Sequence, residues 1–265
     1  SEPTVAVLSL LLISLSLSAA DQPTPSVHDS FDQPNAAWKE VSLDARKQMK
    51  TSIEDGSMTI EDGGLSGLYH NKAFTGQFVA ELKFTEDRNV GLALIHEKDG
   101  RPDAENYTLL TVDTNEERQV VVRVRGCQNG KRNILDNTGR LLERLKRSGR
   151  EQRSIDMQVD GYEHVLTGEK YSVPFDRTGG RIRVFRDAGG GFFHYYYAVK
   201  KTIRDTEAEG WMELAPSRDW AKADQRFFVA AIALDERKAV FDRAQVVPKP
   251  KRDRDDRKTG FKVSR

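Results

Sequence analysis

The chain has 265 residues, of which 37% are hydrophobic and 31% are charged, so it can bury the core of one large domain or of two small ones. Its 42 lysines and arginines nearly balance its 41 aspartates and glutamates. Nucleic acid is therefore disfavoured as a partner, because a nucleic-acid-binding domain needs a basic surplus on at least one face. The single cysteine, Cys127, cannot form an internal disulfide and ends a predicted strand, which favours a small hydrophobic role.

An uncharged apolar run from Val5 to Leu17 is followed by small residues up to Ala20 and then by polar residues. This pattern is typical of a secretory signal peptide, and the run is shorter than the roughly 20 residues of a membrane span. We therefore expect a signal peptide over residues 1–20, a secreted or periplasmic product and no membrane span in the mature chain. A buried helix or strand is the alternative. Residues 21–27, with two prolines, are predicted to be a linker.

Short apolar segments separated by turns follow the linker and predict antiparallel strands. The turn signals include Asp55-Gly56 and Asp62-Gly63-Gly64. The predicted strands of this half are Ser57–Ile60, Phe78–Phe84, Val90–Ile95, Tyr107–Val112 and Gln119–Arg125. In the second of them, alternation separates Phe78, Ala80, Leu82 and Phe84 from Val79, Glu81 and Lys83. This spacing is typical of a sandwich or a barrel.

One segment breaks the sequence of strands. Leu141, Leu142 and Leu145 recur at helical spacing among charged residues, and Thr138 is a suitable cap for a helix start. The pattern predicts one short inserted amphipathic helix within residues 138–152. Its basic residues favour a solvated face over a binding patch.

Strands resume in the second half of the chain. Gly180–Arg186 and the aromatic segment Phe192–Val199 flank a glycine turn and predict a hairpin. Phe227–Leu234 is almost continuously apolar, as expected of a strand that is covered on both faces. Ala239–Val247 is the last predicted strand, and residues 249–265 are dense in opposite charges, which predicts a mobile tail.

The order of these segments resembles the concanavalin A-like lectin/glucanase jelly rolls of secreted bacterial carbohydrate-active proteins. The segments that carry the resemblance are Asp29–Asp32 with Trp38, Phe74–Leu82, Gly91–Leu94, Asn106–Leu109, Arg181–Arg186, Trp211–Leu214, Phe227–Leu234 and Val240–Val246. The resemblance covers about residues 28–247. It implies an all-β, antiparallel two-sheet jelly-roll sandwich over residues 28–248, whose concave sheet receives a saccharide chain.

The resemblance also implies a structural calcium ion that links the opening and closing strands. The acidic residues at the matching positions are Asp29, Asp32 and Asp242, and carboxylate oxygens are the hard ligands that calcium prefers. The alternative is that these aspartates are solvated strand ends. No other cofactor is expected.

Catalytic motifs of this group are missing from the chain. The family-16 glucanases carry Glu-x-Asp-x-x-Glu on one strand, which aligns the carboxylates at the separation that retention needs, whereas Glu81 stands alone in its segment. The jelly-roll alginate lyases carry a Gln-x-His strand, which is absent, and a lysine- and tyrosine-rich strand that residues 194–197 match only loosely. The five histidines also lack the spacing of zinc ligands.

The aromatic strand is the strongest candidate for a sugar-binding surface. Alternation puts Phe192, His194 and Tyr196 on one face and the three neighbouring rings on the other. One set is expected to fill the core, and the other set to stack against sugars, although ordinary packing of both sets is the alternative. The predicted ligand-binding residues are Tyr69, His96, Tyr107, His194 and Tyr196. Trp38 and Trp211 are expected to be buried in the core.

The leading hypothesis is a secreted, non-catalytic, lectin-like domain that binds an oligo- or polysaccharide. The alternative is a glycoside hydrolase or polysaccharide lyase in which His96 or His194, together with Tyr196, transfers protons. A structural envelope protein without a ligand is a third possibility.

Overall fold

The computed structural model describes residues 26–44, 49–85, 89–114, 120–132, 163–166, 180–203, 206–214 and 216–249. Over these residues the chain is all-β, with seventeen strands. In chain order they are β1 (Val27–Asp29), β2 (Trp38–Ser42), β3 (Lys50–Glu54), β4 (Ser57–Glu61), β5 (Ser66–Phe74), β6 (Phe78–Thr85), β7 (Val90–Lys98), β8 (Arg101–Thr114), β9 (Val120–Gln128), β10 (Lys131–Arg132), β11 (Glu163–Leu166), β12 (Gly180–Asp187), β13 (Phe192–Ile203), β14 (Thr206–Glu213), β15 (Ser217–Arg218), β16 (Phe227–Ala233) and β17 (Ala239–Pro248).

The strands form two antiparallel sheets. The nine-stranded sheet has the order β14-β13-β12-β6-β17-β4-β3, with β1 paired to β17 and β15 paired to β13. The eight-stranded sheet has the order β10-β9-β8-β7-β16-β5-β2, with β11 paired to β9. The closing strands β16 and β17 lie inside different sheets, between strands from the first half of the chain. The predicted antiparallel two-sheet sandwich is therefore confirmed.

The main core lies between the two sheets. The predicted alternation of β6 is confirmed, since Phe78, Ala80, Leu82 and Phe84 are buried. In β13 the buried set is Phe193, Tyr195 and Tyr197. The Tyr195 hydroxyl hydrogen-bonds to Thr108 Oγ1 of the opposite sheet at 2.6 Å, which satisfies a buried polar group and joins the two layers.

The eight-stranded sheet is apolar on its outer face as well. A second buried cluster lies there, consisting of Val41, Leu43, Ala93, Ile95, Tyr107, Leu109, Cys127, Ala230 and Ile232. Strand β16 is accordingly buried at every residue, as its continuous apolar sequence predicts. The outer face of the nine-stranded sheet, by contrast, carries mostly charged, polar and partly exposed aromatic side chains.

Strand β5 was not predicted, because its residues do not alternate in hydrophobicity. It lies between β16 and β2, and Gly67 allows the close approach, since a Cβ atom there would lie 1.9 Å from the carbonyl oxygen of Ala231. Trp38 is buried as expected, whereas the expectation for Trp211 is wrong: this ring is half-buried and lies on the outer face of the nine-stranded sheet.

Four predicted segments lie wholly or mostly outside the described residues. They are the signal peptide at 1–20, the linker at 21–27 except Ser26 and Val27, the helix within 138–152 and all of the charged tail except Lys249. Within the part of the chain that the structure describes, no apolar helix reaches membrane-spanning length.

Candidate functional site

The outer face of the nine-stranded sheet is organised in three rows that run across its strands. The registers of β14, β13, β12, β6 and β17 place side chains directly opposite each other in every row. The middle row consists of Glu213, Tyr196, Arg183, Glu81 and Gln245. The apolar row on one side consists of His194, Phe185, Val79 and Val247. The basic row on the other side consists of Arg181, Lys83 and Arg243.

Charged groups in the middle row hold one another in place. Arg183 donates to Glu81 Oε2 from Nε at 3.0 Å and from Nη2 at 2.6 Å. Arg181 Nη1 lies 3.4 Å from the other oxygen of Glu81. Both guanidinium groups lie over the indole of Trp211, at 3.9 Å for Arg183 and 5.2 Å for Arg181. Charge pairing with Glu81 and cation–π contact with Trp211 therefore hold both arginines in place on the sheet surface.

Glu213 connects His194 and Tyr196 at one end of the middle row. Its Oε1 lies 2.8 Å from His194 Nδ1, and its carboxylate also hydrogen-bonds to Tyr196. Partial burial raises the pKa of Tyr196 to about 12, the Glu213 carboxylate acts in the same direction, and the nearby Arg183 opposes it. The phenol therefore stays protonated at neutral pH and acts as a hydrogen-bond donor.

Four rings continue from this point along the sheet surface. His194 stacks on Phe185 with centroids 5.6 Å apart and a 23° interplanar angle, and on Tyr196 at 6.5 Å and 14°. Phe192 lies 6.3 Å from His194 and is 41% exposed, the one exposed large hydrophobic side chain among the described residues. We call Phe185, Phe192, His194 and Tyr196 together the ring row. The rings of Phe185, His194 and Tyr196 are nearly parallel, whereas Phe192 is tilted by 57° to His194, and all four lie beside charged hydrogen-bonding groups.

An open pocket lies at the other end of the same face. It has a volume of about 260 Å³ and is lined by Glu81, Lys83, Arg181, Arg243 and Gln245. The pocket therefore joins the basic row to the middle row.

The five predicted ligand-binding residues do not share one surface. His194 and Tyr196 lie together in the ring row. Tyr107 is buried in the second cluster on the outer face of the eight-stranded sheet, and Tyr69 packs at the edge of that cluster against Phe228. Because the two outer faces point in opposite directions, a single ligand cannot contact both pairs.

His96 lies apart from both pairs, at one end of the main core. Its ring stacks on Trp220 and meets the edge of Phe227. Burial lowers the pKa of His96, which favours the neutral imidazole. Its Nε2 atom is buried without a hydrogen-bond partner in the structure.

The three aspartates expected to hold calcium are engaged by other groups of the protein. Asp29 accepts hydrogen bonds from Phe31 N at 2.9 Å, Asn35 Nδ2 at 2.7 Å and Trp38 Nε1 at 2.8 Å, so protein donors occupy both oxygens. Asp242 pairs with Lys83 at 2.9 Å on the outer face.

Asp32, the third of these aspartates, accepts a hydrogen bond from Ser30. Within the described ranges no three acidic, histidine or cysteine side chains form a metal-binding group. The opening and closing strands do pair with each other, as β1 and β17, but these residues do not fit a calcium ion between them.

Sequence reasoning missed the charged part of this face. Arg181 and Arg183 alternate with buried residues of β12, and Glu81 and Lys83 do the same in β6. The alternation was visible, but the pairing of β12 with β6, which are about a hundred residues apart in the chain, was not. Only that pairing brings the arginines onto Glu81.

Comparison with known proteins identifies the fold. No family model matches the chain, and no curated protein matches it in sequence. Among solved structures, the exoplasmic/lumenal domain of VIP36 in its Ca²⁺/Man-bound form has a TM-score of 0.50 at 9% identity, covering 86% of this chain and 91% of that one.

Two further structures are similar over most of their length. The carbohydrate recognition domain of Emp47p has a TM-score of 0.46 at 13% identity, covering 85% of this chain and 95% of that one. The lectin from Bauhinia forficata in complex with GalNAc has a TM-score of 0.46 at 9% identity, covering 84% and 96%. The two antiparallel sheets, together with the likeness to the VIP36 domain, show the concanavalin A-like jelly-roll fold that the sequence resembles.

Proposed function

We propose that this protein is a secreted, non-catalytic carbohydrate-binding domain, and that the glycan lies on the outer face of the nine-stranded sheet, over His194 and Tyr196. The observation that carries the proposal is the ring row beside the charged middle row. The VIP36 domain, which has this fold, is known in a Man-bound form, and this agrees with a saccharide ligand. Export is proposed from the apolar run that ends before Asp21.

The ring row supplies the apolar half of a sugar site. Sugar rings present C–H surfaces that pack on aromatic faces, and the angles of 23° and 14° keep three of the rings nearly parallel. Phe192 is exposed enough to contact a ligand without rearrangement. On the opposite side of the molecule, Tyr107 is 3% exposed and is inaccessible to a glycan in this structure.

The middle row supplies the polar half of the site. Sugar hydroxyls need both donors and acceptors, and Arg183, Glu213 and the protonated Tyr196 provide them next to the rings. The hydrogen bonds of Arg183 with Glu81 and of Glu213 with His194 hold these side chains in place before a ligand arrives, which reduces the entropy lost on binding.

An enzyme that uses the same residues is the second candidate, and the 2.8 Å contact between His194 and Glu213 favours it. A carboxylate that orients an imidazole is a common arrangement for proton transfer. The raised pKa of Tyr196 argues against the lyase form of this hypothesis, because a phenol with a pKa of about 12 is a poor base at neutral pH. The catalytic motifs of the glucanases and lyases with this fold are also missing from the sequence, and we therefore propose binding without catalysis as the leading function.

Glycan binding is tested by titration of the protein with a panel of oligosaccharides. Phe192→Ala and Tyr196→Ala are expected to weaken binding about 2- to 12-fold each, since an aromatic contact contributes roughly 0.5–1.5 kcal/mol. Tyr69→Phe, on the other face, is the matched control and should bind as the wild type does. Absence of binding at millimolar concentrations across the panel would contradict the proposal.

The catalytic alternative is tested with the same panel. Release of reducing sugar or of unsaturated product by the wild type, lost in His194→Ala, would establish an enzyme. Binding without product release supports the non-catalytic function.

A further inference from the structure

We propose that the basic row forms a subsite for an anionic group, so that the ligand is an acidic saccharide bearing a carboxylate or a sulfate. This inference rests on the proposed glycan-binding function and narrows its substrate class. The row consists of Arg181, Lys83 and Arg243, on the three adjacent strands β12, β6 and β17.

The alignment of these three cations is unfavourable for the sheet itself. Arg181 lies directly opposite Lys83, and Lys83 lies directly opposite Arg243. Like charges in directly opposed positions destabilise an antiparallel pair. Side-chain arrangements that lower the stability of the fold in this way are expected at functional sites. A bound anion would relieve the repulsion.

Neighbouring carboxylates only partly compensate the row. Asp242 pairs with Lys83 at 2.9 Å. Glu81 makes its short bonds to Arg183 and reaches Arg181 only at 3.4 Å. Within the described part of the chain, the exposed side chain of Arg243 has no ion pair and no hydrogen bond. Among the described residues, the positive charge of Arg243 is therefore left without a pairing carboxylate.

The pocket at the basic row suits one charged sugar unit of a longer chain. Its volume of about 260 Å³ is below the usual range for whole small-molecule ligands, about 300–1,000 Å³. Guanidinium groups recognise planar carboxylates and sulfate oxygens through paired N–H donors. Gln245 adds an uncharged amide at the pocket wall, which can bind a sugar hydroxyl.

The pocket is close enough to the ring row for one oligosaccharide to occupy both. Strands β17 and β13 are separated by three steps of about 4.8 Å each, or about 14 Å. Arg183 and Glu81 of the middle row lie between them. We therefore expect the neutral part of the glycan over the rings and the acidic part over the basic row.

The test compares matched saccharides by isothermal titration calorimetry at low salt. The set consists of oligogalacturonates, their neutral methyl esters, a sulfated galactan oligomer and its unsulfated parent. The acidic member of a pair is expected to bind at least about tenfold more tightly than its neutral counterpart. Arg243→Gln should weaken acidic binding about three- to tenfold and leave neutral binding unchanged.

Lys39→Gln is the matched control, because it removes one exposed positive charge from β2 of the other sheet. It should change acidic binding less than twofold. Whichever acid binds better, uronate or sulfate, identifies the group that the pocket prefers, and either result supports the inference.

Four results would overturn the inference. Equal affinity for acidic and neutral members, or equal losses in Arg243→Gln and Lys39→Gln, would remove the anionic subsite and leave the glycan-binding function intact. Equal binding of polyglutamate at matched charge would show a general polyanion surface. Failure of all saccharides, neutral and acidic, would overturn the proposed function together with this inference.

Discussion

The two sheets of this sandwich use their outer faces in opposite ways. On the eight-stranded sheet, the outward positions hold residues such as Ile95, Leu109 and Ile232, which are fully buried. On the nine-stranded sheet, the outward positions of β12 and β6 hold arginine, lysine and glutamate, and those of β13 hold partly exposed rings. Both sheets have the alternation of β-strands, so the fold does not decide which face can bind a ligand. The side chains at the outward positions decide it.

The sharpest test of this comparison is a matched truncation on each outer face. Ile232→Ala, in the buried cluster, is expected to lower the free energy of unfolding by about 2–5 kcal/mol, because it removes transfer energy and leaves a cavity. Val79→Ala, in the apolar row of the other face, should cost about 1 kcal/mol or less. Urea denaturation followed by tryptophan fluorescence measures both.

Equal destabilisation in the two variants would contradict the assignment of one face to the core and the other to solvent. Glycan binding adds a second criterion, since Ile232→Ala should retain affinity in the folded protein at low temperature.

Most of the fold could be predicted because its evidence is local. The alternation in Phe78–Phe84 and in Phe192–Tyr197 identifies strands and their two faces, and the continuous apolar sequence of β16 indicates burial on both sides. Strand β5 escaped prediction because its side chains do not alternate, and its place depends on the fit of Gly67 against Ala231. Local patterns specify strands, but long-range pairs specify their neighbours.

The candidate site could be predicted only in part, for the same reason. His194 and Tyr196 share a face at a separation of two residues, which the sequence shows directly. The grouping with Tyr69, His96 and Tyr107 depended on the sheet order and on the face that each residue occupies. The structure places these three on the other sheet, at the far side of the molecule or inside the core.

Truncation of the aspartates on the two sides of the nine-stranded sheet is expected to lower the free energy of unfolding by a smaller amount. Asp29→Ala leaves the indole N–H of the buried Trp38 and the Asn35 amide without their acceptor, which should cost about 1–3 kcal/mol. Asp242→Ala removes only the ion pair with Lys83, which has a 45% exposed side chain, and should cost about 1 kcal/mol or less. Chemical denaturation measures the difference.

Addition of calcium distinguishes this structural role of Asp29 from a ligand role. Because protein donors occupy both oxygens of Asp29, calcium should leave the unfolding temperature of the wild type and of Asp242→Ala unchanged. A rise in the wild type that is missing in Asp29→Ala would show that Asp29 is a ligand.

The smallest expected effect is on the pH dependence of stability, through the pKa of Tyr196. This pKa reports the environment of the ring row directly. Its pKa is raised to about 12 in the folded protein, above the usual value of 10.0, first by burial and then by Glu213. Since the folded state retains the proton more strongly than the unfolded state, Tyr196 contributes stability that is fully present below pH 10 and is lost as the pH rises towards 12. At neutral pH, Tyr196→Phe should therefore leave the slope of stability against pH unchanged.

Glu213→Gln separates the two causes of this shift. It removes the negative charge and keeps a hydrogen-bonding side chain, so the pKa of Tyr196 should fall but stay above 10, because burial persists. Difference absorbance of the phenolate between each protein and its Tyr196→Phe counterpart measures both values. An unchanged pKa in Glu213→Gln would mean that the carboxylate does not act on the phenol. Glu213 would then not hold His194 and Tyr196 together as one preorganised surface.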